Sequence, residues 1–171
     1  RVAVAIPRCR IADPSFNVEQ TLTLARQALD AGAVLVAFPE LGLSAYSCED
    51  LFHQRALLDG CLDGLARIIE ASQALPVALV VGLPLKVNHQ LFNCAAVVAG
   101  GRVLGVVPKS FLPNYGEFYE SRQFSAADCA AVEQIELFGA TVPFGANLLF
   151  EIENLPLLRF HVEICEDVWV P

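Results

Sequence analysis

Three features of the 171-residue chain predict an α/β fold: a β-α-β opening, a later pair of apolar runs joined by Gly100-Gly101, and apolar stretches of strand length alternating with amphipathic helical ones. In residues 1–6, Val2, Val4 and Ile6 recur with the period of a strand. Asn17 stands three residues before Gln20, the spacing of a capping box. Val18, Leu22, Ala25 and Leu29 follow at helical spacing, and Gly32 supplies a stop. Residues 33–38 form the next strand, so the first two strands are expected to run parallel. Residues 50–74 repeat a helical period through Leu51, Leu58, Leu62, Leu65 and Ile69 until Pro76 ends it. Residues 77–83 read as a third strand, and 91–99 with 102–107 as a hairpin around the glycine pair. Residues 111–145 have little periodicity, but Tyr115, Phe118, Tyr119 and Phe124 argue against disorder there. The last apolar run, 157–164, reads as a strand with Leu158, Phe160, Val162 and Ile164 on one face.

Composition narrows the function classes. The chain is 55% hydrophobic and 18% charged, as befits one folded domain with a sizeable core. Its formal charge of −8, without Lys or Arg clusters, disfavours a nucleic-acid ligand. The most apolar stretch, residues 74–85, is short and interrupted by proline and glycine, so no membrane association is expected. Six cysteines without a CxxC pair and only three histidines offer no zinc framework. They are expected to be mostly reduced core thiols in a cytoplasmic protein. No methionine is present and the chain ends six residues after Cys165, which leads us to expect a piece of a longer polypeptide.

Three tripeptides at the ends of apolar runs carry the chemistry: Phe38-Pro39-Glu40, Val107-Pro108-Lys109 and Glu163-Ile164-Cys165. Singly, each has a plain structural explanation as a surface charge or a core thiol. Together they supply a carboxylate for proton transfer, an ammonium for developing negative charge and a thiol nucleophile. In open α/β sheets, reactive groups collect beyond the carboxyl ends of strands, where these three lie. His161 shares a strand face with Cys165, but four residues of strand separate them by roughly 13 Å. A Cys–His dyad is therefore disfavoured.

The segments FPELGLSAYSCEDLF (38–52), VPKSFLPNYGEFYESRQF (107–124) and VEICEDVWV (162–170) resemble the nitrilase, or carbon–nitrogen hydrolase, superfamily. The resemblance runs from Val2 to Pro171. Within the superfamily, the PNYGEFYE run and the EDVW ending are most similar to the branch that forms the glutaminase domain of glutamine-dependent NAD synthetases. It implies a nitrilase-like four-layer α-β-β-α sandwich, incomplete in this chain, with residues 1–171 as the N-terminal part of a glutaminase domain. Glu40, Lys109 and Cys165 match the superfamily's triad. Glu117 matches a second carboxylate eight residues past the lysine, expected to orient the lysine or move a proton. Tyr115 and Tyr46 are expected to line a glutamine pocket. Glu166 would offer its backbone N–H to the oxyanion, while Asp167 reads as structural. The hydrolase step needs no cofactor or metal. ATP and magnesium are implied for a synthetase module of the same polypeptide, outside this chain, and the branch implies a homo-oligomer. A free-standing amidase or nitrilase, and a catalytically silent binding or assembly domain, remain alternatives on the sequence alone.

Overall fold

The computed structural model describes residues 1–153 and 157–170, so Pro171, the end of the expected domain span, lies outside the described residues. A five-stranded mixed sheet has the spatial order β1 (Val2–Val4), β2 (Leu35–Ala37), β3 (Ala78–Val87), β4 (Gln90–Ala99) and β5 (Arg102–Pro108). The first three strands are parallel, as the β-α-β opening predicts, and β4 runs antiparallel to both of its neighbours, β3 and β5. Helices α1 (Pro14–Asp30) and α2 (Arg55–Ser72) connect β1 to β2 and β2 to β3.

The strands β3 and β4 are apolar on both faces because both faces are covered. Leu79, Val81, Leu83 and Leu85 of β3 pack with Phe92, Ala96 and Val98 of β4 and with Val18, Leu65 and Ile68 of the helices. Val80, Ala95, Val97 and Val107 face the other way, onto Phe150 and Ile164. That second face is covered by a two-stranded ribbon, β8 (Phe150–Glu151) with β9 (Arg159–Phe160), whose Phe150 and Phe160 rings stack at 5.2 Å. At β1 the same face is open, with Val2, Val4 and Ile6 at 59%, 79% and 82% exposure. The described residues thus hold a mixed α/β fold of one helix layer, a five-stranded sheet and two short ribbons, in keeping with an expected sandwich that is incomplete in this chain.

Several element boundaries differ from the sequence expectation. Helix α1 is capped by Asp13, whose carboxylate accepts from Phe16 N–H, with Pro14 at the first helical turn. Asn17 is instead fully buried and bonds the backbone of Arg10 and Leu43, so the Asn17–Gln20 capping box does not form. The expected helix over 50–74 is two elements, a kinked 3₁₀ segment Tyr46–His53 and α2. Strand β3 continues through Pro84 to Val87, because β2 pairs only with residues 78–80 and leaves no partner beside the proline. The β4–β5 turn falls at Gly100 and Gly101, both at positive φ. The stretch 111–145 contains a hairpin, β6 (Gln134–Leu137) with β7 (Ala140–Pro143), whose Val142 is buried against the main core. Of the apolar run 157–164 only β9 is paired, and Leu157 is 99% exposed.

Candidate active site

Glu40 stands on a tight turn after β2 that lies directly on β3. A Cβ on Gly82 would come within 2.5 Å of Leu41 N and Pro39 O, so only glycine admits the turn here. The contact is fastened by Phe38 N–H to Val80 O at 2.9 Å and Leu43 N–H to Gly82 O at 3.0 Å. Leu41, with φ +51, is fully buried beneath it.

Lys109 follows β5 by one residue, and its N–H donates to Asn93 O at 2.8 Å, continuing the β4–β5 ladder. The side chain points into the protein and is completely buried. Nζ donates to Glu40 Oε1 at 2.7 Å and to Glu120 Oε1 at 2.8 Å. A buried ammonium is costly unless its charge and protons are matched, and two carboxylates supply that match. Burial works against the charged lysine, but its bonds to Glu120 and Glu40 more than compensate and hold its pKa above the ordinary value. Glu120 shows the reverse balance. Burial raises its carboxyl pKa, and Lys109 and Tyr46 only partly pull it back. Tyr46 Oη donates to Glu120 Oε1 at 2.6 Å, and burial followed by that bond pushes the phenol far up. Asn93 Nδ2 donates to Glu40 Oε1 at 2.6 Å.

Cys165 sits at φ +50, where β-branched and bulky residues are disfavoured, at the head of a 3₁₀ turn Cys165–Val168. Ile164 before it is buried against the sheet, so the turn lifts the thiol out of the apolar layer and exposes it. One carboxylate anchors the turn to the lysine loop: Asp167 Oδ1 accepts from Ser110 N–H at 3.0 Å and Phe111 N–H at 2.8 Å, and Oδ2 from Ile164 N–H at 3.2 Å. Glu40 and Cys165 line a common cavity of about 200 Å³, with Gly82, Ala95 and Val162 among its walls. Burial, then the negative charge of Glu40, raises the thiol pKa, and Lys109 opposes them.

The second carboxylate at the lysine is Glu120, not Glu117. Glu117 is exposed at the rim of a neighbouring cavity of about 250 Å³, which Tyr46, Phe52, Phe118 and Glu120 also line. The 3₁₀ turn Glu120–Arg122 brings Glu120 rather than Glu117 inward. Tyr115 Oη donates to the Glu166 carboxylate, at 3.1 and 3.0 Å from its two oxygens, so two of the residues expected at the substrate site meet. His161 lies 3.6 Å from Glu163, and both are exposed. Of the cysteines, Cys48, Cys61 and Cys94 are buried, whereas Cys9, Cys129 and Cys165 are exposed, so fewer are core thiols than expected. Among the described residues, no three His, Cys, Asp or Glu side chains are grouped to hold a metal ion, and no helix is long and apolar enough to cross a membrane.

A buried ammonium between two carboxylates, beside a cavity shared with an exposed thiol, defines a hydrolase-like site on a mixed α/β scaffold. The carbon-nitrogen hydrolase family model matches residues 1–171, and the chain belongs to that family, the nitrilase superfamily. It is 47% identical over 171 residues to the glutamine-dependent NAD(+) synthetase of Mycobacterium tuberculosis (strain ATCC 25618 / H37Rv), a match covering 100% of this chain and 25% of that protein. In structure it is similar to a glutamine-dependent NAD(+) synthetase from Cytophaga hutchinsonii, with TM-score 0.86 and 28% identity over 97% of this chain and 28% of the other. The corresponding enzyme from Acinetobacter baumannii, in complex with ADP, matches with TM-score 0.76 and 31% identity over the same shares. The chain spans about a quarter of the length of the curated relatives it matches.

Proposed function

We propose that this chain is part of a glutaminase that hydrolyses the side-chain amide of glutamine and passes ammonia to an ATP-dependent NAD synthetase module of the same polypeptide. The observation that carries the chemistry is the buried Lys109 ammonium held 2.7 Å from Glu40, which shares a cavity with the Cys165 thiol. The similarity to glutamine-dependent NAD(+) synthetases over 100% of this chain supports the substrate and the partner module.

In this reading Glu40 takes the Cys165 proton as Sγ attacks the amide carbon. The carbonyl electron pair moves onto oxygen, which faces Lys109 Nζ and the backbone N–H of Glu166. Such donors are worth about 3–4 kcal/mol of barrier each. Glu40 returns the proton to nitrogen, the C–N bond breaks and ammonia leaves. Water then adds to the thioester and gives a proton to Glu40. Collapse breaks the C–S bond, the sulfur recovers the proton, and glutamate departs. Glu120 fixes the ammonium through a second bond beside that to Glu40, the part expected of Glu117. In the same reading Tyr46 and Tyr115 line the glutamine pocket. ATP and magnesium serve the synthetase module, whose residues lie outside this chain.

The test is covalent. A glutamine analogue with an electrophile at the amide carbon, added to the full polypeptide, labels Cys165 ahead of the other five cysteines, and glutamine protects it. Even labelling of all six, or an unmodified Cys165 in folded protein, removes the proposal.

A further inference from the structure

Glu40 Oε1 accepts two hydrogen bonds, from Lys109 Nζ at 2.7 Å and from Asn93 Nδ2 at 2.6 Å. Both donors converge on the same oxygen. Oε2 takes neither, and the Glu40 side chain as a whole is 18% exposed. Glu40 also lines the cavity that it shares with Cys165.

Asn93 is an unusual residue for its place. It is 1% exposed in the middle of β4, between Phe92 and Cys94, which are both buried in the core. Its backbone carbonyl also receives the Lys109 N–H, so one residue touches both charged partners. A buried amide is retained at a cost unless its bonds are made; here Nδ2 is bonded to a charged acceptor, while Oδ1 is buried without a partner, so the Glu40 bond is the side chain's one compensation.

We propose that Asn93 is a positioning residue that pins Glu40 Oε1 together with Lys109, leaving Oε2 as the oxygen that accepts the Cys165 proton. The proposal rests on the glutaminase reading. Without the amide, Glu40 has a single tether through a lysine that Glu120 also holds, and the carboxylate turns away from the thiol. Sub-ångström placement of this kind depends on such supporting bonds. The proton leaves Sγ for Oε2, and the sulfur electron pair so freed forms the C–S bond.

The test is a double-mutant cycle in the full polypeptide. Asn93→Ala should lower kcat for glutamate release roughly 10- to 100-fold with KM changed less than about 3-fold, because the loss falls on the chemical step. In the Glu40→Gln background the same change should cost less than about 2-fold. A further full loss in that background, or wild-type kcat in Asn93→Ala, overturns the proposal. Should Asn93→Ala fail to fold, Asn93→Asp keeps the shape and sets a carboxylate against Glu40. Its deficit should deepen as pH rises from about 6 to 8 and the shared proton is lost; a pH-independent deficit counts against positioning. If the wild-type protein hydrolyses no glutamine, the proposed function fails. Iodoacetamide alkylation of Cys165 then reads the cycle without turnover: Asn93→Ala should alter its pH profile in the wild type and not in Glu40→Gln. An unaltered profile in both overturns the proposal.

Discussion

The two halves of the site are built in opposite ways. On the sheet side, Lys109 is completely buried, Glu120 is 5% exposed, and Asn93 and Tyr46 close the network. On the thiol side, Cys165 stands exposed on a left-handed turn that one carboxylate, Asp167, ties to the lysine loop. The charged groups gain from exclusion of water, which strengthens their mutual attraction and fixes their geometry. The thiol, the nucleophile of the proposed reaction, needs access, and its backbone carries the strain instead. A rigid electrostatic base and a presented thiol are thus separate structural tasks, joined by three hydrogen bonds to Asp167.

Variants on the two sides should separate these tasks. The largest stability effect belongs to Lys109→Ala, which leaves the buried Glu120 and the partly buried Glu40 near each other without their cation. Urea denaturation should show a loss of about 3–5 kcal/mol, together with loss of amide hydrolysis. A fully stable variant would mean that the charge network does not support the core.

Asp167→Ala should be milder for the fold and mainly kinetic. It leaves three N–H groups without their acceptor, and only partly buried ones can turn to water, so a cost of about 1–3 kcal/mol is expected. The Cys165 turn loosens, and kcat falls more than KM rises. Asp167→Asn keeps an acceptor for the Ser110 and Phe111 amides and should recover part of the rate.

Glu120→Gln and Glu117→Gln sharpen the comparison within one loop. The first removes a charge bonded to both Lys109 and Tyr46, and should lower both stability and turnover. The second alters an exposed carboxylate, and its stability change should stay within about 0.5 kcal/mol. Equal effects in thermal melts would contradict the assignment of Glu120 as the lysine's partner.

The smallest effect is a shift in titration. Burial and Glu40 raise the Cys165 thiol pKa and Lys109 lowers it, so the thiolate forms at higher pH than in an ordinary cysteine. Removing the Glu40 charge as Glu40→Gln should move the alkylation midpoint down. Removing the Lys109 charge as Lys109→Met should move it up. Shifts of the opposite sign would mean that neither group faces the thiol.

Much of the sheet was legible because β3 and β4 carry enough apolar residues to read as buried strands without tertiary knowledge. The Gly100-Gly101 turn was equally plain, since both residues adopt the positive φ that glycine allows. What escaped depended on distant partners. Pro84 looks like a strand end until the shortness of β2 removes the need for its N–H. Asn17 looks like a cap, but its side chain is taken by the backbone of Arg10, just before the helix, and of Leu43, distant in sequence, and Asp13 caps instead. Glu40 and Lys109 stand out because each ends an apolar run. Glu120 does not, because two glutamates share the loop and only its folding turns one inward. The amide in the run Phe92-Asn93-Cys94 was a signal of the second kind: a polar residue inside an apolar strand implies a buried partner, though not which one.

Under the proposed function, the Cys165 thiol makes ammonia for chemistry carried out elsewhere in the polypeptide. NAD synthesis by the Cys165→Ala form of the full polypeptide, measured once with glutamine and once with ammonium as nitrogen source, tests it most directly. Glutamine-dependent synthesis should disappear while ammonia-dependent synthesis continues near the wild-type rate. Continued use of glutamine, or equal loss of both activities, would contradict the account.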